Sequence, residues 1–184
     1  MQIRNSSTRY GAMAQAFHWA TAVLVVTAWI LGQVGEDLGG AGLRAPGVVA
    51  HMLVGLTVLM FLAMRFGWRL IDTPPAGEVT RLGVLADRAA VLVHYALLAL
   101  LALAPLAGVA YQFSRGEPLF VYGLFEIPSP MAALARADQR SVKEVHETLS
   151  NALFILAGLH AAAGLSHHWV LRDGVLKRMW PFAH

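Results

Sequence analysis

The chain has 184 residues, 57% hydrophobic and 14% charged, with a formal net charge of +3, whereas soluble domains hold about 25% charged residues. This composition, with its charges gathered in short connecting segments, excludes an ordinary soluble fold and reads as a helical membrane protein. The lack of cysteine excludes disulfides, thiolate-held iron–sulfur clusters and haem attached through C-x-x-C-H.

A spanning helix needs about 20 mostly apolar residues. The first window is about Gly11–Leu31. It is too long for the apolar stretch of a signal peptide and lacks a small-residue cleavage site just after it, so it is expected to be retained. It carries His18. The second window, about Pro46–Phe66, carries His51, has Arg65 at its end, and is followed by Arg69 and the stiff turn Asp72-Thr73-Pro74-Pro75. The third, about Asp87–Tyr111, carries His94 and an internal Pro105 that predicts a kink. A loop of about Gln112–Lys143, with Pro118, Pro128 and Pro130, is expected to cap one face, with a short helix near Met131–Ala137. The fourth window, Val145–Leu165 and on to about His168, carries His146, His160 and His167. The apolar runs are too long and too uniform for membrane strands. The fold class expected is therefore all-α, a bundle of four transmembrane helices.

Orientation follows from the basic residues in the connecting segments. The side with both termini holds Arg4, Arg9, Arg65, Arg69, Arg81, Arg88, Arg172, Lys177 and Arg178; the other holds Arg44, Arg115, Arg136, Arg140 and Lys143. Both termini are expected to face the cytoplasm.

Ionisable residues inside a membrane are rare and usually mark function, and neutral imidazole is a good metal ligand. His146 and His160 are fourteen residues apart, which rises about 21 Å and leaves the two rings only about 40° apart around the axis. One face of the fourth helix thus offers ligands at two depths. His51 matches the outer depth and His18 the inner one. The pairs His51/His146 and His18/His160 suit two bis-histidine haems of b type, because ligands project inward from facing helices of a bundle. Four residues after each comes a small residue, Ala22, Gly55, Ser150 or Gly164, leaving room beside an axial ligand. His94 either meets a haem propionate, lines a quinone pocket or bonds across helices. Arg65 and Arg69 on the inner side, and Arg44, Arg115 and Lys143 on the outer, either pair with propionates or anions or hold the topology by snorkelling. His146-Glu147-Thr148-Leu149-Ser150 is not a zinc protease motif, since the second His of H-E-x-x-H is missing.

These residues resemble the bacterial cytochrome b561 family of four-helix di-haem membrane cytochromes. The resemblance rests on Tyr10-x7-His18-Trp19, His51 with Gly55, Arg65-Phe66-Gly67-Trp68-Arg69, His94-Tyr95 with Pro105-Leu106-Ala107-Gly108, Val145-His146-Glu147-Thr148-Leu149 and Gly158-Leu159-His160-Ala161-Ala162-Ala163. It covers nearly all of 1–184, which then forms one cytochrome-type transmembrane domain. It implies that His18, His51, His146 and His160 are the axial ligands. It also implies electron transfer with quinone in the bacterial inner membrane, either as an oxidoreductase resembling those that pass electrons from superoxide to ubiquinone, or as the cytochrome subunit of a larger dehydrogenase or hydrogenase. The expectation preferred is superoxide:ubiquinone oxidoreductase. The chain reads as complete in itself, and Arg115, Arg136, Arg140 and Lys143 would attract a small anion at the outer face. Ubiquinone would be met on the inner side near His167 or His94. A His-lined metal transporter is the rival from another class.

Overall fold

In the computed structural model, residues 2–35, 37–38, 45–77 and 80–180 are described. Four helices dominate: α1 (Ala12–Val34), α2 (Pro46–Ile71), α3 (Val84–Ser114) and α4 (Arg136–Ser166). All four are long and apolar enough to cross a membrane. The protein is a multi-pass membrane protein. α1 packs chiefly on α2 and α3 on α4, while sparser α2–α3 and α1–α4 contacts close the bundle. Two helical hairpins are thus laid side by side. A small core of Val25, Val58, Leu62, Leu101, Ala104 and Leu153 lies between them. Ile30, Leu92, Leu103, Leu106, Ile155 and Leu159 point outward, as lipid-facing side chains do where no water has to be avoided. Across the α1–α4 contact, Trp29 stacks on Phe154 at 4.0 Å and donates its indole N–H to Asn151 Oδ1 at 3.0 Å.

The helices outrun their apolar windows. α2 continues past Phe66 to Ile71 and stops where Asp72 turns extended ahead of Pro74. α3 begins at Val84 and runs unbroken through Pro105. α4 begins nine residues before Val145, at Arg136, so its first turns are a charged segment. The separate short helix expected near Met131–Ala137 is absent: residues 131–135 are not helical, and Arg136 and Ala137 already belong to α4. The loop instead folds into a hairpin of β1 (Leu119–Val121) and β2 (Phe125–Ile127). Tyr122 and Gly123 both have positive φ, 51° and 70°, which is the backbone twist a tight hairpin turn requires. Tyr122 Oη and Thr57 Oγ1 share a hydrogen bond at 2.9 Å, tying the hairpin to α2.

At the opposite end the two chain termini and the α2–α3 connection are knitted together. The Asn5 backbone N–H donates to Asp72 Oδ2 at 3.0 Å, Arg178 donates to the carbonyls of Thr8 and Ala76, and the Trp19 indole N–H donates to the Met179 carbonyl at 2.9 Å. The bundle therefore has a hairpin end and a termini end. Each is named by these features below.

Candidate haem-ligand site

Toward the hairpin end, His51 of α2 faces His146 of α4 with ring centroids 5.9 Å apart. Each ring is fixed by the other helix of its own hairpin. His51 Nδ1 bonds the Ala28 carbonyl of α1, and His146 Nδ1 bonds the Ala104 carbonyl of α3, both at 2.8 Å. A carbonyl can only accept, so Nδ1 carries the proton and Nε2 is left free as a ligand atom. In a helix the carbonyl of residue i already accepts from the N–H of residue i+4, so a second donor must approach past that residue. Here the residue four on is glycine both times, Gly32 and Gly108. A Cβ at Gly32 would lie 3.2 Å from His51 Cε1, and one at Gly108 would lie 3.0 Å from His146 Cε1. The two hairpins thus repeat one device. An Ala-x-x-x-Gly stretch on the first helix seats a histidine of the second.

Toward the termini end, His18 of α1 faces His160 of α4 with centroids 6.2 Å apart. His94 of α3 lies against His160, centroids 5.1 Å apart, and is exposed. Arg65 of α2 is half-buried and within electrostatic reach of His18, His94 and His160. Arg69 stands one turn further on and acts on Arg65 and His94. One side chain from each helix therefore meets here.

Both spacings can be tested against a metal held between two imidazoles. Metal–imidazole bonds of about 2.0–2.1 Å, plus about 1.1 Å from each nitrogen to its ring centre, put in-line rings about 6.3 Å apart. The observed 5.9 and 6.2 Å fit that span. Among the described residues no group of three or more His, Cys, Asp or Glu side chains is arranged to hold a metal ion. Two ligands per site suit an iron whose other four positions are filled by a porphyrin, and do not suit a bare zinc or copper ion. A Cβ at Gly55, one turn after His51, would meet nothing within 4 Å. At Gly164, one turn after His160, it would instead meet Leu176 at 3.7 Å. At the termini end three buried polar atoms, Gln15 Oε1, Trp68 Nε1 and His168 Nδ1, have no hydrogen-bond partner among the described residues. Such atoms suit the propionates and water that accompany a bound haem.

The remaining residues singled out from sequence are scattered. Arg115 sits 5.8 Å from the ring centre of Tyr111, and Lys143 pairs with Glu147 at 3.3 Å. Arg44 lies outside the described residues. The basic outer loop is not a basic patch. The connecting segments at the hairpin end carry Arg44, Arg115, Arg136, Arg140 and Lys143 but also Glu36, Asp37, Glu117, Glu126, Asp138 and Glu144. Net steering of an anion to this end does not follow from its charges, because the carboxylates outnumber the cations.

His167 opens a π-helical turn, His167–Leu171, that ends α4. Arg172 then adopts a left-handed conformation, φ 54°, and turns the chain back so that Asp173 reaches His167 Nδ1 at 2.6 Å. Burial pushes the Asp173 carboxyl up. The bonds from His167 and the Val175 N–H, with the charges of His167 and Arg81, outweigh that and hold it below its ordinary value. Sequence reading missed Asp173, Gly32 and Gly108. The Ala-x-x-x-Gly spacing shared by α1 and α3 was the signal for the two glycines.

Residues 9–182 match the family described as prokaryotic cytochrome b561. The chain is 32% identical over 183 residues to cytochrome b561 homolog 2 of Escherichia coli (strain K12), covering 97% of this chain and 95% of that protein. It is 29% identical over 177 residues to the probable superoxide oxidase CybB of Yersinia pestis, covering 94% and 96%. It is 27% identical over 175 residues to cytochrome b562 of Cereibacter sphaeroides, covering 92% and 94%. Four apolar helices, paired imidazoles and a match along almost the whole chain place this protein in the prokaryotic cytochrome b561 family of haem b-binding membrane electron-transfer proteins.

Proposed function

We propose that the chain holds two haem b groups, one between His51 and His146 and one between His18 and His160, and carries single electrons across the bacterial inner membrane from a donor at the hairpin end to ubiquinone at the termini end. The observation that carries this reading is the pair of facing imidazoles at each depth, 5.9 and 6.2 Å between centroids. Both termini lie on the cytoplasmic side, in line with the excess of basic residues there. Superoxide is the preferred donor. Its support is the relative named a probable superoxide oxidase, now that the loop charges do not argue for an anion.

Haem, when bound, supplies the one-electron chemistry. The protein's part is orientation and environment. Ala28 and Ala104 fix the tautomer and aim of the hairpin-end imidazoles. Arg65 and Arg69 supply positive charge near the termini-end pair, suited to propionates. The exposed His94 beside His160, and His167 through Nε2, are the polar groups a lipid-borne quinone head would meet. His167 Nδ1 is already committed to Asp173.

The test is superoxide-driven reduction of ubiquinone by the purified haem-loaded protein. Turnover that needs both superoxide and quinone supports the reading. Haem that superoxide leaves oxidised overturns the choice of donor and leaves a cytochrome subunit of a larger oxidoreductase.

A further inference from the structure

The end of α4 combines two uncommon backbone features. The π-helical turn His167–Leu171 widens the helix, and Arg172 follows in a left-handed conformation at φ 54°. Both features gather at functional sites, where the surrounding structure must hold them in place. Together they bring Asp173 back onto His167. One carboxylate oxygen meets His167 Nδ1 at 2.6 Å, and the other accepts the Val175 N–H at 3.2 Å. The Asp173 N–H donates to the His167 carbonyl at 3.1 Å. Ending the helix alone would not need this pair, since a glycine in the left-handed position ends one without it. The His167 and Asp173 side chains are 16% and 18% exposed, so the pair stands at the edge of water. His167 Nε2 has no hydrogen bond to any described residue. His167 also lies seven residues, two turns, beyond His160 on the same face. The pair therefore extends from the termini-end ligand toward the surface.

Reducing a quinone to a quinol takes two protons with the two electrons, and the surrounding lipid supplies none. A carboxylate on Nδ1 fixes the tautomer of an imidazole, aims Nε2, and stabilises the imidazolium formed when Nε2 takes up a proton. We propose that Asp173 is the positioning residue of a proton relay, holding His167 so that Nε2 passes protons from water at the termini end to the quinone oxygens. Each proton leaves Nε2 for a quinone oxygen, and Nε2 takes another from water. The Nδ1–H stays bonded to the carboxylate throughout. Two rounds, matched to two electrons arriving singly, complete the quinol. The charged and titratable groups around the pair are His168 and Arg172 beside it, Lys177 and Arg178 of the final turn, and Arg81 of the α2–α3 connection. The inference rests on ubiquinone being reduced at the termini end, as proposed above, and the experiment separates the two.

The experiment follows reoxidation of the pre-reduced, haem-loaded protein by a short-chain ubiquinone, without oxygen, as pH is varied. Wild type, Asp173→Asn, Asp173→Glu and His167→Gln are compared, with haem content measured on each sample. If ubiquinone leaves the wild-type haem reduced, the choice of acceptor itself fails. If it reoxidises the haem, Asp173→Asn is expected to keep its KM for ubiquinone and to lose about tenfold or more in maximal rate near about pH 8. Near about pH 6 its rate should approach wild type, because imidazolium then forms without help from the carboxylate. Asp173→Glu, which keeps the charge, is expected to restore the wild-type profile, and His167→Gln to be slow throughout. A role confined to ending α4 would lower stability or haem content and leave the pH profile unmoved. An Asp173→Asn profile parallel to wild type, an Asp173→Glu profile like that of Asp173→Asn, or His167→Gln turning over at the wild-type rate overturns the inference.

Discussion

Gly47→Ala tests how closely the α1–α2 packing governs the hairpin-end site. A Cβ at Gly47 would lie 2.4 Å from the Gly35 carbonyl oxygen, 2.8 Å from Gly35 Cα and 2.9 Å from Leu38 Cβ. Two of these atoms are backbone, so no side chain can swing away and the helices must part. Relieving such contacts takes about 0.5–1 Å, and overpacking of this kind costs about 1–3 kcal/mol. At about 1.4 kcal/mol per factor of ten, that is about a five- to 150-fold loss in the folded-to-unfolded ratio. His51 stands one turn beyond Gly47, and its bond to Ala28 is 2.8 Å. Parting the helices by about 0.5 Å takes that bond past the usual 2.7–3.2 Å range. The haem assigned to His51 and His146 should therefore be perturbed while the other is spared. The assay is thermal unfolding in detergent, followed at the haem absorbance, with Gly67→Ala as control. Gly67 lies on the same helix, and a Cβ there meets nothing within 4 Å. Equal stability of the two variants, or equal perturbation of both haems by Gly47→Ala, would refute the reasoning.

Three further outcomes are expected. The folded-state pKa of Asp173 is depressed, so its contribution to stability is present above the ordinary carboxylate value and is lost as pH falls through the lowered one; thermal unfolding should show Asp173→Asn less stable than wild type at neutral pH, the gap closing in acid. His94→Leu should slow quinone reduction while both haems stay loaded and reducible, and His167→Leu should do the same; quinone turnover unchanged in either variant removes that residue from the quinone site. Since acids outnumber bases at the hairpin end, raising ionic strength should change superoxide-driven haem reduction by no more than about twofold over the usual salt range; steep slowing with salt would show a local cationic entry that the charge count hides.

The helices and the histidine pairs were legible because they rest on apolar length and helical repeat. His146 and His160 share a face whatever surrounds them, and the observed pairing follows from depth alone. Helix ends were less legible. The first turns of α4, Arg136–Glu144, are charged and stand beyond the apolar window, so hydropathy does not register them. The β-hairpin depends on a Tyr122-Gly123 turn and on docking to Thr57, a tertiary contact that composition does not show. The charge of the hairpin end was misread by counting cations without the carboxylates between them. The seats of His51 and His146 were missed because they are backbone carbonyls. Only the glycines that uncover those carbonyls leave a trace in the sequence.

The central claim is that each histidine pair holds one haem. The direct measurement is haem per chain, by pyridine haemochrome, in the wild-type protein and in alanine variants of His18, His51, His146 and His160. Wild type should carry about two non-covalent, low-spin haems. His51→Ala, His146→Ala and their double variant should each keep about one, the same one, because partners at a shared site do not add. His18→Ala and His160→Ala should keep the other. One haem per wild-type chain, or loss of the same spectral component in His18→Ala and His51→Ala, would contradict it.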